Sequence, residues 1–178
     1  MTKNIFFISD THFGHEGVCN FLRKDGVTKL RPFSCAQEMD EVLVQNWNSV
    51  VKPGDRVYHL GDVAMKKVHL STVDRCNGKK VLVKGNHDIF EAKEYLKYFE
   101  DIRGVYVLPA RDGILSHIPL HNESVTRFKV NIHGHLHEGE IHDPHYFSVC
   151  CENINYTPIA YEDLKLRIKQ KREALGYV

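Results

Sequence analysis

Five short clusters along the chain combine carboxylate, amide and imidazole side chains. They are Asp10-Thr11-His12, Gly61-Asp62, Gly85-Asn86-His87-Asp88, Ser116-His117 and His133-Gly134-His135-Leu136-His137. Asp and Asn oxygens mixed with imidazole nitrogens, with no thiolate among them, favour a borderline metal such as Mn, Fe, Zn, Ni or Co. The donors are too many for one tetrahedral ion. A carboxylate can bridge two cations and an imidazole cannot, so a pair of divalent metals is the natural count. Each cluster by itself is weak. D-x-H and Gly-Asp are common surface turns, Gly-Asn-His-Asp reads equally well as a capped helix entry, and paired surface histidines are frequent. His135-x-His137 is stronger, because alternate residues of an extended chain face one side. Five such clusters in series, each directly after an apolar run, make coincidence a poor explanation.

The runs that must position these clusters are short, β-branched and aromatic: Ile5-Phe6-Phe7-Ile8, Val57-Tyr58-His59-Leu60, Val81-Leu82-Val83, Ile114-Leu115 and Val130-Asn131-Ile132. Continuously apolar runs of this length suit strands covered on both faces. Ligand sites in α/β sheets gather beyond the carboxyl ends of strands, so the five clusters converge on one place. Residues 104–108 read as a further strand, turned back to Ile114-Leu115 at Asp112-Gly113, and residues 146–151 as another. Ser34 with Gln37 forms a capping box ahead of Met39, Leu43, Trp47 and Val50 at helical spacing, and Pro53-Gly54 stops that run. Weaker helices are expected over residues 70–75 and 90–99, and an outer C-terminal helix over residues 161–175. No repeat, low-complexity tract or linker interrupts residues 1–178, which read as one α/β domain.

Bulk properties narrow the setting. With 178 residues, 42% hydrophobic and 26% charged, the chain has the composition of a soluble globular protein. A formal net charge of +1 gives no overall field toward nucleic acid or anionic membrane. No apolar stretch approaches the roughly 20 residues of a membrane helix, and the opening residues read as a strand instead of a signal peptide. Cys19, Cys35, Cys76, Cys150 and Cys151 form no C-x-x-C pair, and reduced, mostly buried thiols in a cytoplasmic protein are expected.

D-x-H, then G-D, then G-N-H-D, then a lone His, then G-H-x-H is the motif order of the calcineurin-like metallophosphoesterases. The chain resembles that superfamily from Asp10 to His137, with every motif position filled. The stretch from Asp10-Thr11-His12-Phe13-Gly14-His15 through Arg31-Pro32-Phe33 and Trp47-Asn48 to Tyr58-His59-Leu60-Gly61-Asp62 is similar to a compact bacterial and phage branch. The resemblance implies a four-layer α-β-β-α sandwich carrying two divalent ions, Mn before Fe, Zn, Ni or Co. It implies that Asp10, His12 and His137 hold one metal, that Asn86, His117 and His135 hold the second, and that Asp62 bridges them. His87 then matches the catalytic histidine beside the leaving group, with Asp88 orienting it. Two cations about 3.5–4 Å apart lower the pKa of a shared water and clamp phosphate oxygens. The implied reaction is in-line attack of a metal-bridging hydroxide on a phosphate ester. The Ser/Thr phosphatases of the superfamily continue Gly-Asp with Asp-Arg-Gly, whereas this chain reads Val63-Ala64-Met65-Lys66 and places Asp88 where they carry Glu. Protein phosphatase activity is therefore not expected. A phosphodiesterase acting on a small-molecule or nucleotide ester, or on a nucleic-acid end, is the leading expectation. A phosphomonoesterase is the alternative, and a non-catalytic metal-binding scaffold the third.

Around the clusters, His15 is a candidate for reaching the substrate phosphate, as are Arg111 and Arg127 for a phosphate tail. The loops 13–32 and 119–129 are the expected substrate walls. His133 is expected to be structural, His59 a satisfied core histidine, and His69, His121, His142 and His145 loop or surface residues. Lys66-Lys67 and Lys79-Lys80 are expected on a solvated face.

Overall fold

The computed structural model of the protein describes residues 4–109 and 112–177. The apolar runs form two mixed sheets. The first holds β1 (Ile5–Ile8), β2 (Arg56–His59), β3 (Lys79–Val83), β4 (Asp101–Arg103) and β9 (Ile159–Ala160), in the order β4-β3-β2-β1-β9. β1 to β4 run parallel, with Phe7 opposite Tyr58 and Ile8 opposite His59, and β9 closes the edge antiparallel to β1. The second sheet orders β5 (Val105–Val107), β6 (Ile114–Ser116), β7 (Asn131–His133) and β8 (Tyr146–Ser148). β5 pairs antiparallel with β6, and β6, β7 and β8 are parallel.

The sheets share one hydrophobic core, in which Phe7, Val57 and Leu82 join Leu115 and Ile132. Tyr58 of β2 meets Tyr106 of β5 with ring centroids 4.9 Å apart. They also touch at their carboxyl ends, where Ser9 bridges to Cys150 in parallel fashion and the Cys151 N–H donates to the Ser9 carbonyl at 3.2 Å. All three parallel strands of the second sheet and β1 to β3 of the first therefore deliver their following loops to one region.

The amphipathic helix α1 (Ala36–Val50) buries Met39, Leu43 and Trp47, and the Trp47 indole N–H donates to the Asn77 carbonyl at 2.9 Å. Its cap is one residue out of the expected register: Glu38, not Gln37, reaches back to the backbone N–H and hydroxyl of Ser34. The helix starts at Ala36 with Cys35 as its cap, so the third helical position falls on Glu38. Three other expected elements need correction. The helix over 90–99 is one turn, α2 (Ala92–Tyr95). Tyr95 and Phe99 are both buried at helical spacing, but the chain leaves the helix to enter β4. The segment 70–75 belongs to a 3-10 run, Lys67–Arg75. The strand expected to reach Cys151 ends at Ser148, and Cys151–Ile154 is a 3-10 turn that carries the chain across the end of β1.

β4 and β9 carry no apolar signature, because an edge strand with Asp101 and Arg103 paired at 2.7 Å, and a two-residue strand, need none. The expected hairpin closes with Leu108 N–H on the Gly113 carbonyl at 2.9 Å. α3 (Asn122–Val125) lies in the expected wall loop, and α4 (Tyr161–Ala174) packs on β9 and β1 through Leu164 and Ile168. Lys80 departs from the solvated-face expectation: it is buried, with its ammonium on the Cys76 and Gly78 carbonyls at 2.6 and 3.1 Å. The cysteines are free, four of them buried. No helix among the described residues is long and apolar enough to cross a membrane.

Candidate metal centre

Every cluster singled out above follows the carboxyl end of a strand: Asp10 and His12 after β1, Asp62 after β2, Asn86 to Asp88 after β3, His117 after β6, and His135 and His137 after β7. The backbone turns sharply there. Asp10, His12, Asp62, His135 and His137 all adopt positive φ, between 48° and 71°, and make up five of the seven such non-glycine residues described. L-residues adopt that region at an energetic cost, and such strain concentrates at functional sites. The turns are sewn together by Asp10 N–H on the Gly61 carbonyl, 2.9 Å, and His12 N–H on the Asp62 carbonyl, 3.0 Å. Glycine is required at Gly134, where a Cβ would fall on Ser9 Oγ and Asp10 Oδ2, and at Gly85, where it would fall on the Asp62 carboxylate.

Two donor sets result. In the first, Asp10, His12 and His137 bring one ligand atom each within 4.8 Å of one another, and the His12 and His137 rings stack at 5.3 Å. Asp10 is fully buried. Its Oδ2 accepts from the Ser9 hydroxyl, the His135 N–H at 3.0 Å and the Cys150 thiol at 3.2 Å, while Oδ1 has no partner. In the second set, His117 N–H at Nδ1 donates to the Leu60 carbonyl at 2.7 Å, which turns Nε2 toward the centre, a lone-pair nitrogen whenever the ring is neutral. That nitrogen faces Asn86 Oδ1 at 3.0 Å and Asp62 Oδ2 at 3.3 Å, and the His135 ring lies edge-on 5.2 Å away. Asp62 Oδ2 also lies 3.7 Å from His12 Nε2, so one carboxylate oxygen stands between the two sets. Its Oδ1 accepts the His87 N–H at 2.9 Å.

The electrostatics fit cations. His117 Nε2, set between two acceptor oxygens, calls for a proton or a cation there: burial disfavours the charged ring, but the Asp62 hydrogen bond and the nearby carboxylates raise its pKa overall, and the buried Asp10 Oδ1 has no partner at all. Burial, helped by the Arg31 charge, lowers His12 to about 3, which keeps it in the neutral form a metal ligand needs. Burial raises Asp62, but the His117 hydrogen bond and charge outweigh it and hold the carboxyl at about 2. The residues present therefore suit a pair of divalent ions in oxygen–nitrogen coordination.

His87 is exposed, its ring 5.9 Å from that of His12 and without a hydrogen-bond partner among the described residues. Asp88 does not orient it, contrary to expectation. The Asp88 carboxylate is buried and accepts three backbone N–H groups: Asp62 and Gly85 on Oδ2, both at 2.8 Å, and Val63 on Oδ1 at 3.0 Å. It fixes the Asp62 turn to the Asn86 turn, and burial raises its pKa despite those bonds. His15 sits 5.7 Å from His12, ring to ring, and caps the following 3-10 turn through Nδ1, which accepts from Val18 N–H at 3.1 Å. Arg127 is exposed and makes no hydrogen bond or ion pair with a candidate ligand among the described residues, and Arg111 lies outside them. His133 is buried with Nδ1 on the Gly134 carbonyl, 2.9 Å, and His59 is buried on Thr11 Oγ1, also 2.9 Å, so both are structural as expected.

Two buried charges beside the centre lie outside the five clusters. Arg31 has its Nε 2.7 Å from Glu152 Oε1, and the same oxygen accepts from His137 Nδ1 at 3.0 Å. Glu152 follows β8 as the ligands follow their strands, and that position was the available signal.

A mixed α/β fold with a carboxylate–imidazole centre at the joined strand ends defines the chain structurally. No family model matches it. It is 29% identical over 180 residues to the uncharacterized protein MJ1445 of Methanocaldococcus jannaschii, a match covering 95% of this chain and 93% of that one. It is 33% identical over 92 residues to the Gene 66 protein of Mycobacterium phage L5, covering 48% of this chain and 40% of the phage protein. The crystal structure of AQ665 from Aquifex aeolicus, a protein of unknown function, superposes with a TM-score of 0.67 at 28% identity, over 92% of this chain and 98% of that chain.

Proposed function

We propose that the chain is a dinuclear metal-dependent phosphoesterase of the calcineurin-like superfamily, built as a four-layer α-β-β-α sandwich and acting on phosphodiesters in preference to monoesters. The observation that carries this reading is the Asp62 carboxylate standing between two adjoining donor sets, 3.7 Å from His12 and 3.3 Å from His117, with Asp10 within ligand-atom reach of both. Asp10, His12 and His137 would hold one ion, Asn86, His117 and His135 the other, and Asp62 both. When bound, such a pair supplies a water-derived nucleophile at neutral pH and positive charge for the phosphoryl oxygens.

The chain's own groups do the rest. His117 is fixed by the Leu60 carbonyl and Asp62 by the His87 N–H, so the polar groups are set before substrate arrives. His87 is solvent-exposed with no bond described for its ring, and in this reading it would give a proton to the departing oxygen, a role worth about 10²–10⁴-fold. His15, with Nδ1 committed to Val18, keeps Nε2 for a substrate oxygen.

The test is hydrolysis of bis-p-nitrophenyl phosphate against p-nitrophenyl phosphate by metal-stripped protein with Mn restored. Diester cleavage should be the faster. His87→Ala should lower kcat about 10²–10⁴-fold while retaining both ions by elemental analysis. Monoester preference would move the assignment to phosphomonoesters. Loss of metal in His87→Ala would contradict the role given to His87, and inactivity with Mn, Ni, Co and Zn would overturn the reading.

A further inference from the structure

Arg31 and Glu152 are among the most deeply buried charged side chains of the molecule, 0% and 1% exposed, and apart from a contact of Arg31 Nη1 with the Met39 sulfur at 3.2 Å the bonds described for their charged groups lead to one donor set. Arg31 donates from Nη1 to the Thr11 carbonyl at 3.0 Å and from Nη2 to the Asp10 carbonyl, gripping the Asp10–His12 turn from behind. Through Nε it holds Glu152 Oε1 at 2.7 Å, and that oxygen accepts from His137 Nδ1 at 3.0 Å. One ion pair thus fixes Asp10, His12 and His137, all at positive φ. It also sets His137 with Nδ1 protonated and Nε2 left as the ligand nitrogen. Most of the second set is positioned by other groups: His117 by the Leu60 carbonyl, and the Asp62 and Asn86 turns by Asp88, with only the His135 N–H, on Asp10 Oδ2 at 3.0 Å, tied to the first set.

We propose that the Arg31–Glu152 pair is a positioning device that builds the Asp10–His12–His137 metal site and not the second one. The inference rests on reading the centre as a metal pair, and it separates the two sites energetically. Without the pair, His137 loses its charged acceptor and the Asp10–His12 turn loses two donors, while the Leu60 bond to His117 and the Asp88 bonds to the Asp62 and Asn86 turns stay in place.

The experiment counts Mn on metal-stripped protein by isothermal titration and follows it by electron paramagnetic resonance. Wild type should take two ions and give the exchange-coupled spectrum of a pair. Glu152→Gln, which keeps the volume and loses the charge, should weaken the Asp10–His12–His137 site about 10–100-fold. It should bind one ion at working concentration, with an uncoupled six-line spectrum and the remaining affinity unchanged. Since Glu152→Gln leaves the Arg31 charge buried and unpaired, Arg31→Met/Glu152→Gln provides a charge-neutral second variant, with the same expected loss of one site. Circular dichroism and gel filtration report whether each variant folds. A folded variant that keeps two coupled ions, or that loses both sites together, overturns the proposal, and so does failure of both variants to fold. Wild-type protein that binds no pair overturns the metal centre itself. Two bound ions without ester hydrolysis would overturn only the assigned reaction.

Discussion

At the residue scale the centre is a set of acceptors with too few protons. Asp10 offers one oxygen already saturated by three donors and one left open, and His117 turns Nε2 toward Asp62 and Asn86. Asp88 matters as much as any ligand, although it is not one. Its carboxylate gathers the N–H groups of Asp62, Val63 and Gly85 and so holds two ligand turns at a fixed separation. Asp88→Asn keeps one acceptor oxygen and should cost about 2–4 kcal/mol, since each buried N–H left without a partner costs about 1–3 kcal/mol. Urea unfolding in EDTA should show that loss in the absence of metal, and a midpoint equal to wild type would contradict it. The D-x-H, G-D, G-N-H-D and G-H-x-H residues were legible because their types and order carry the chemistry. The role of Asp88 was not, because nothing in its sequence neighbours specifies which backbone groups its carboxylate will meet.

At the element scale α1 anchors the first sheet. Trp47 is almost fully buried, its indole bonded to the Asn77 carbonyl. Trp47→Ala should destabilise by about 3–5 kcal/mol and lower Tm by about 6–20 °C for a domain of this size. A shift of a degree or two by calorimetry would mean that the surroundings close over the cavity. The same helix carries Asp40, 9% exposed, whose two carboxylate oxygens accept the Gly14 N–H at 3.1 and 3.0 Å. Burial raises its pKa from 3.8 to about 6. The folded chain therefore binds this proton more tightly than the unfolded chain. The stability it contributes is complete below about pH 4 and is lost as pH rises through about 6. Asp40→Asn cannot titrate, so its stability relative to wild type should rise by about 2–3 kcal/mol between pH 4 and pH 8. Denaturation at the two pH values checks this, and a difference independent of pH would assign Asp40 an ordinary pKa. The helix period of α1 was visible in the sequence. The short α2, the edge strand β4 and the two-residue β9 were not, because tertiary pairing, with little help from local propensity, creates them.

At the scale of the whole molecule, two sheets meet at their carboxyl ends, and five residues with positive φ and an unpartnered carboxylate oxygen of Asp10 collect at that seam. Metal binding should relieve this crowding of carboxylates and lone pairs. Mn added to metal-stripped protein should raise Tm in a concentration-dependent way, by the equivalent of about 2.7 kcal/mol per site at one hundred times Kd. EDTA should reverse the gain in thermal-shift measurements, and a Tm insensitive to both would argue against metal ligation. The sequence by itself determined the strand-ending clusters, their order and the mixed α/β character, because strand runs and metal-ligating residue types are local properties of the chain. Only the tertiary structure decided that Glu152, 121 residues beyond Arg31, shares an ion pair with it and supports His137, and that Asp88 serves the backbone instead of His87. Those contacts depend on how the ends of β1, β3, β7 and β8 come together. Side chains distant in sequence acquire a joint role only once the two sheets have closed on each other.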